Sequence, residues 1–285
     1  MISLKIATGR IESPHCLVMG VVNRTPDSFY DGGRLDLDEA VEYGRALVNE
    51  GANLLDLGGV KAGPGEPVSE EEEAARLLPL VEGLTSCGIP LSVETGRPAV
   101  AAAALDAGAA IVNDVTGIAD FELAEVCAAK GAALVVMHHG GQVRGRPRNP
   151  RYADVVTEVR GSLADLVAGA RSAGVDREAI LVDPGLDFGK TTFHSLELIR
   201  RLDEIVALGP PVLVAPSRKD VVGEALSLPL DERLEGTLAL VALSVVAGAA
   251  MVRVHDVRPT VRVVAMVEAV SGRRPPSAPV RGLWD

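Results

Sequence analysis

The sequence predicts a (β/α)8 barrel, the TIM-barrel architecture, as a single domain, on three observations. Eight short apolar runs recur along the chain, a longer helical pattern follows each, and most runs end in polar residues or glycines. A run that is apolar without alternation marks a parallel strand covered on both faces, because a half-exposed antiparallel strand alternates with period two. Eight βα units suit a closed barrel, and 285 residues is an ordinary length for one. An open doubly wound sheet is the competing architecture, and no GxGxxG follows the first run to favour it.

The elements alternate from the first run onward. "CLVMGVV" (16–22) stops at Asn23 and is followed, after a polar stretch, by the helical pattern "DLDEAVEYGRALVNEG". "NLLDLGG" (53–59) precedes "SEEEEAARLLPLVEGL", whose Ser69 and acids are the capping residue and first-turn charges that a helix start prefers. "IPLSVE" (89–94) leads to "RPAVAAAALDAG", and "AIVND" (110–114) to "FELAEVCAAKG". "ALVVMHH" (133–139) is followed by the long pattern "ADVVTEVRGSLADLVAGARSAG", and "AILVDPG" (179–185) by "SLELIRRLDEIVALG". "PVLVAPS" (211–217) precedes "ERLEGTLALVALSVVAG", and "AMVRVHD" (250–256) precedes "PTVRVVAMVEAVSG". Several of these patterns end in Gly, the residue that closes helices in left-handed geometry. No linker splits residues 1–285, and a Pro-rich tail runs from 273 to 285.

Composition excludes several classes of function. An apolar fraction of 47% builds a large core, while a net charge of -11 offers no basic face for nucleic acid. Cys16, Cys87 and Cys127 form no CxxC pair, which points to free thiols in a reducing, cytoplasmic compartment. No apolar run reaches the ~20 residues of a membrane helix, so no membrane partner is expected.

In a barrel the polar run ends meet at the C-terminal rim, where the loops that follow the strands build binding sites. They are Asn23, Gly58–Gly59, Glu94, Asn113–Asp114, His138–His139, Asp183, the "SRK" of 217–219, and Arg253 with His255. Asp114 alone reads equally well as a helix cap. His138 and His139 are adjacent and point to opposite faces, so a zinc site is poorly supported, and His194 reads as well as a structural residue at a helix start. Lys219 and Arg253 resist a purely structural reading, since cations inside a barrel mouth need an anionic or electron-rich partner.

The stretches "MGVVNRTPDSFYDGG", "DLGG…GPG", "LSVET", "VNDVTG", "VDPGLDFGKTTFH", "SRKDVVG" and "RVHDV" resemble, in order and spacing, the signatures of dihydropteroate synthase. That family is a (β/α)8 barrel that joins 6-hydroxymethyl-7,8-dihydropterin pyrophosphate to p-aminobenzoate and releases magnesium-bound pyrophosphate. The resemblance implies a pterin pocket lined by Glu94, Asn113 and Asp183, with Lys219 on the pterin carbonyl and Met137 and Phe188 as apolar contacts. It implies Asn23, Arg253 and His255 around the pyrophosphate, Asn23 also reaching Mg²⁺ through its oxygen. Phe29 of the "TPDSF" loop and Pro64 would border the arylamine. Asp183, Lys219 and Arg253 are the implied catalytic residues, and the small-molecule partners are the pterin pyrophosphate and an arylamine.

Three departures bear on activity. "SVET" places Glu94 where the family carries a shorter Asp. "GGVKAGPG" places Val60, Ala62 and Gly63 at the family's Glu, Thr and Arg. Asp220 stands at a Ser that contacts the aminobenzoate carboxylate, so an acid faces a carboxylate substrate. The pattern resembles the divergent second synthase-like copy of some actinobacteria. Three readings stay open: an active synthase, a pterin-binding paralogue with weak or no synthase activity, and a methyltetrahydrofolate-binding barrel. Finally, the pattern at 232–248 is apolar on more than one helical face, which predicts burial against a second subunit in a homodimer, with cover by the preceding helix or the tail as the alternative.

Overall fold

The computed structural model describes residues 1–24, 36–60, 67–117, 121–141 and 149–281. Two strands, β1 (Ile2–Ile6) and β2 (Gly9–Ser13), form an antiparallel hairpin ahead of the barrel. Its sequence alternates: Leu4 and Ile6 are buried, and Lys5 between them reaches Asp176 at 2.9 Å. Gly9 turns the chain with φ +137°, a value that L side chains rarely adopt. The Ala7 N–H donates to the Ala110 carbonyl (3.2 Å) and Arg10 pairs with Glu178, so the hairpin packs beneath the N-terminal ends of the strands.

All eight apolar runs form strands of one parallel sheet. They are β3 (Leu17–Asn23), β4 (Leu54–Gly58), β5 (Leu91–Glu94), β6 (Ile111–Asp114), β7 (Ala133–Met137), β8 (Ile180–Asp183), β9 (Leu213–Val214) and β10 (Met251–Val254). The spatial order β8-β7-β6-β5-β4-β3-β10-β9 closes through a parallel bridge between Val182 and Val212, with the Val182 N–H on the Pro211 carbonyl at 3.0 Å. The barrel is therefore the expected one, its interior packed by buried Val, Leu and Ile.

The surrounding helices are α1 (Leu37–Asn49), α2 (Glu70–Leu84), α3 (Pro98–Asp106), α4 (Glu122–Lys130), α5 (Val155–Ser172), α6 (Thr192–Arg200), α7 (Leu202–Val206), α8 (Asp220–Leu226), α9 (Leu234–Ala247) and α10 (Val257–Val270). Ser69 caps α2 by accepting the Glu72 N–H at 3.1 Å. Two differences from the sequence reading have local causes. The pattern at 195–209 breaks into α6 and α7 at Arg201, which leaves helical geometry while its guanidinium binds Asp154 and Glu204. The short helix α8 starts directly after "SRK", where no helix was expected.

Candidate active site

Strand register sets the polar residues in layers. Gly58, Glu94 and Asn113 are neighbours across β4, β5 and β6, and Asp56 and Ser92 lie one layer deeper. Asp56 is fully buried and accepts three hydrogen bonds: from Ser92 Oγ at 2.5 Å, Asn113 Nδ2 at 2.9 Å and Arg253 Nε at 2.5 Å. A buried carboxylate survives only with such partners. Arg253 reaches from β10 to both β4 and β5, because its Nη2 also donates to Glu94 Oε2 at 2.6 Å. Burial works against the Arg253 charge, but Asp56 and Glu94 outweigh it and raise its pKa. Glu94 is pushed up to about 7 by burial, with Arg253 opposing and Asp56 adding to the rise.

On the far side, Asp183 accepts the Gly185 N–H at 2.7 Å and has its pKa raised by burial, against the pull of Lys219. Lys219 is pulled down by burial, while Asp183 and Asp187 act to keep it charged. Its Nζ donates to the Leu186 carbonyl at 2.8 Å and lies 5.0 Å from the Phe188 ring centroid. Each of Glu94, Asp183, Lys219 and Arg253 feels the charge of at least one of the other three, so the rim residues form one electrostatic neighbourhood.

Backbone geometry delivers the "SRK" residues. Arg218 holds φ +53°, unusual outside glycine, and its guanidinium pairs with both Asp256 oxygens at 2.8 and 3.0 Å. This anchor keeps Arg218 buried, where it also donates to the Leu230 and Asp231 carbonyls. Ser217 Oγ meets His255 Nδ1 at 2.9 Å, and burial together with Arg253 pulls His255 down to about 4, leaving it neutral near pH 7. Asn23 lies across β4: a Cβ on Gly58 would sit 2.6 Å from Asn23 Oδ1, so the glycine makes room for the amide.

Comparison with known proteins decides the family. Residues 19–255 match the model described as pterin binding enzyme. The chain is 49% identical to "Inactive dihydropteroate synthase 2" of Mycobacterium leprae over 94% of both chains. It is 42% identical to the dihydropteroate synthase of Bacillus subtilis, over 89% of this chain and 88% of that one. A solved dihydropteroate synthase of Yersinia pestis, in a sulfonamide drug complex, superposes with a TM-score of 0.91 and 34% identity over 96% of this chain and 100% of that one. This chain belongs to the dihydropteroate synthase family.

Of the residues expected at a dihydropteroate synthase site, Glu94, Asn113, Asp183, Lys219 and Arg253 are brought together, and Met137 is buried beside them, in register with Asp183. Phe29 and Pro64 lie outside the described residues. Glu94, expected at the pterin edge, gives Oε2 to Arg253 Nη2 at 2.6 Å. Asp220, expected where an aminobenzoate carboxylate would sit, pairs with Arg233 Nη1 at 3.2 Å. Of the adjacent histidines, His138 Nδ1 meets Lys190 Nζ at 2.8 Å and His139 Nδ1 accepts the Gly141 N–H. Among the described residues no group of three His, Cys, Asp or Glu could hold a metal. Asp56, Ser92 and Lys190 were not singled out from the sequence, although an acid inside the apolar run "LLDLG" was a visible signal for the first.

Proposed function

We propose that this chain binds 6-hydroxymethyl-7,8-dihydropterin pyrophosphate in the strand-end cup and that its transfer of the pterin to p-aminobenzoate is weak. The observation that carries the pterin half is the set Asn113, Asp183 and Lys219. An aminopyrimidine edge offers N–H donors that a carboxylate and an amide oxygen accept, and a ring carbonyl accepts a hydrogen bond from an ammonium. In the synthase reaction the bond from the pterin methylene to the pyrophosphate oxygen breaks, the arylamine nitrogen bonds that carbon, and a proton leaves the nitrogen. Arg253, His255 and Asn23, on or just after the adjacent strands β10 and β3, would hold the leaving pyrophosphate, with the Arg253 charge stabilising it. Mg²⁺ fits this donor set: Asn23 offers a hard amide oxygen and pyrophosphate oxygens supply others, and the ion when bound neutralises departing charge.

The weak-transfer half rests on Ala62, Gly63 and Asp220, and on the name of the Mycobacterium leprae relative. The methyltetrahydrofolate-barrel reading receives no support from these relatives. Titration calorimetry with the pterin pyrophosphate and Mg²⁺ tests the first half, and Asp183→Asn, which swaps an acceptor for a donor, should cost about 1–3 kcal/mol of that binding. Unchanged affinity in this variant removes Asp183 from the site. A pyrophosphate-release assay with p-aminobenzoate tests the second half, and robust turnover overturns it.

We also infer a homodimer through α9 and α10. Leu243 and Val246 on α9 and Met266 and Val270 on α10 are exposed at 54%, 68%, 63% and 76%, and the two helices pack side by side. Apolar side chains grouped this way favour a second copy. A monomeric mass in solution at micromolar concentration rules the dimer out. The free thiols fit a reducing cytoplasm.

A further inference from the structure

Lys190 is 4% exposed, and its Nζ is ringed by four acceptors. These are His138 Nδ1 at 2.8 Å, the Phe188 carbonyl at 2.8 Å, the Gly185 carbonyl at 2.9 Å and the His138 carbonyl at 3.1 Å. The turn between β8 and α6 explains the ring. Gly185, Asp187 and Gly189 all hold left-handed backbone, with φ of +67°, +68° and +60°. Two carbonyls of this turn point at Nζ, where a compact ammonium with three protons can serve them. The same turn carries the two groups that face Lys219: the Leu186 carbonyl that accepts its hydrogen bond and the Phe188 ring beneath it. Lys190 is thus one step removed from the strand-end cup.

We propose that Lys190 is a positioning residue of the pterin site, whose ammonium ties the turn 185–189 to the end of β7 and so fixes Leu186 and Phe188 against Lys219. The proposal rests on the pterin reading for its functional half only. The ionisable groups that face Lys190 are Asp183, Asp187, Lys219, His138, His139 and His194. Burial lowers Lys190 to about 7, with Asp183 opposing and Lys219 adding to the fall. Above that pH the amine keeps two protons, and one acceptor in the ring loses its donor. The tie should therefore loosen as pH rises.

The test uses the full chain and Lys190→Met, which keeps an unbranched side chain one atom shorter and removes its donors. At about pH 6, amide-exchange protection of residues 185–189 should fall at least about tenfold in Lys190→Met and stay unchanged in α10, and affinity for 6-hydroxymethylpterin should fall by about the same factor. In the unmodified chain that protection should drop between about pH 6 and about pH 8.5, and in Lys190→Met it should stay low at both. Protection that ignores both the substitution and the pH overturns the proposal, as does a loosened turn with unaltered pterin affinity. Should the variant not fold, the pH series on the unmodified chain decides alone. An unmodified chain that binds no pterin defeats the functional reading, whereas the exchange measurement needs no ligand and still decides whether Lys190 holds the turn.

Discussion

Two fully buried carboxylates sit at opposite ends of the barrel, Asp56 towards the C-terminal rim and Glu268 towards the N-terminal rim. Glu268, on α10, accepts the Cys16 N–H at 2.7 Å, pairs with Arg274 at 3.0 Å and lies 2.9 Å from His15 Nδ1, and its own carbonyl accepts the Arg273 N–H at 2.9 Å. Its partners lie at the entry to β3 and just beyond α10, so it fastens two chain segments that the fold already brings together. Asp56 has side-chain partners only, drawn from three other strands, and shares Arg253 with Glu94. Burial of charge is thus no mark of a site by itself. What separates the two is where the partners come from: those of Glu268 belong to chain segments next to it at the N-terminal rim, those of Asp56 are inward-pointing side chains of three other strands that a ligand can also engage.

The largest expected effects test that distinction directly. Asp56→Ala and Glu268→Ala each remove one member of a buried charged cluster and should each cost about 3–5 kcal/mol of stability in denaturant titrations. They should then part company. At a temperature where both remain folded, pterin affinity should fall sharply in Asp56→Ala, where Arg253 and Asn113 lose their anchor, and hold in Glu268→Ala. Loss of pterin binding in Glu268→Ala would erase the contrast.

Glu94 sharpens it from the side of pH. Its folded pKa of about 7 lies above the ordinary carboxylate value, so between about pH 4.5 and pH 7 the native chain holds a proton that the unfolded chain has released. Stability should therefore fall as pH rises through this window, by on the order of 3 kcal/mol, and the fall should vanish in Glu94→Gln. Thermal melts from pH 4.5 to pH 7.5 measure it. Equal slopes in the two proteins mean that the Arg253 pair keeps Glu94 ionised throughout.

Much of this was legible in the sequence where one physical rule dominated. Continuous apolar runs gave the eight strands, because a strand covered on both faces has no polar side to show. Glu94, Asn113, Asp183 and Lys219 stood out as polar residues at the ends of such runs or just beyond them, and Arg253 as a cation within the last one. The hairpin at 2–13 was hidden because it alternates with period two, the opposite signal. Asp56 was hidden because it lies inside a run, where only the cost of burying a charge betrays it. Arg201 breaks a helix without Gly or Pro, through ion pairs made to residues near and far in sequence. Lys190 was beyond local reading altogether, since its ring of acceptors is assembled from the end of β7 and a turn some fifty residues later.

The smallest effect is expected at Asp220, which tests whether the rim discriminates by charge or by shape. The side chain is 38% exposed and pairs with Arg233, itself bonded to the Arg218 and Leu228 carbonyls, so the acid meets a cation already committed to the backbone. A partly exposed pair of this kind contributes little, and Asp220→Ser should change stability by less than about 1 kcal/mol. Removing the acid also leaves Arg233 with one fewer anionic neighbour, so a carboxylate at this rim gains on both counts. Binding of p-aminobenzoate to the pterin-loaded protein should then rise severalfold, with binding of the neutral p-aminobenzamide unchanged. Equal changes for the two compounds would show that Asp220 acts by the space it fills, and would move the explanation for weak transfer to the segment that carries Ala62 and Gly63.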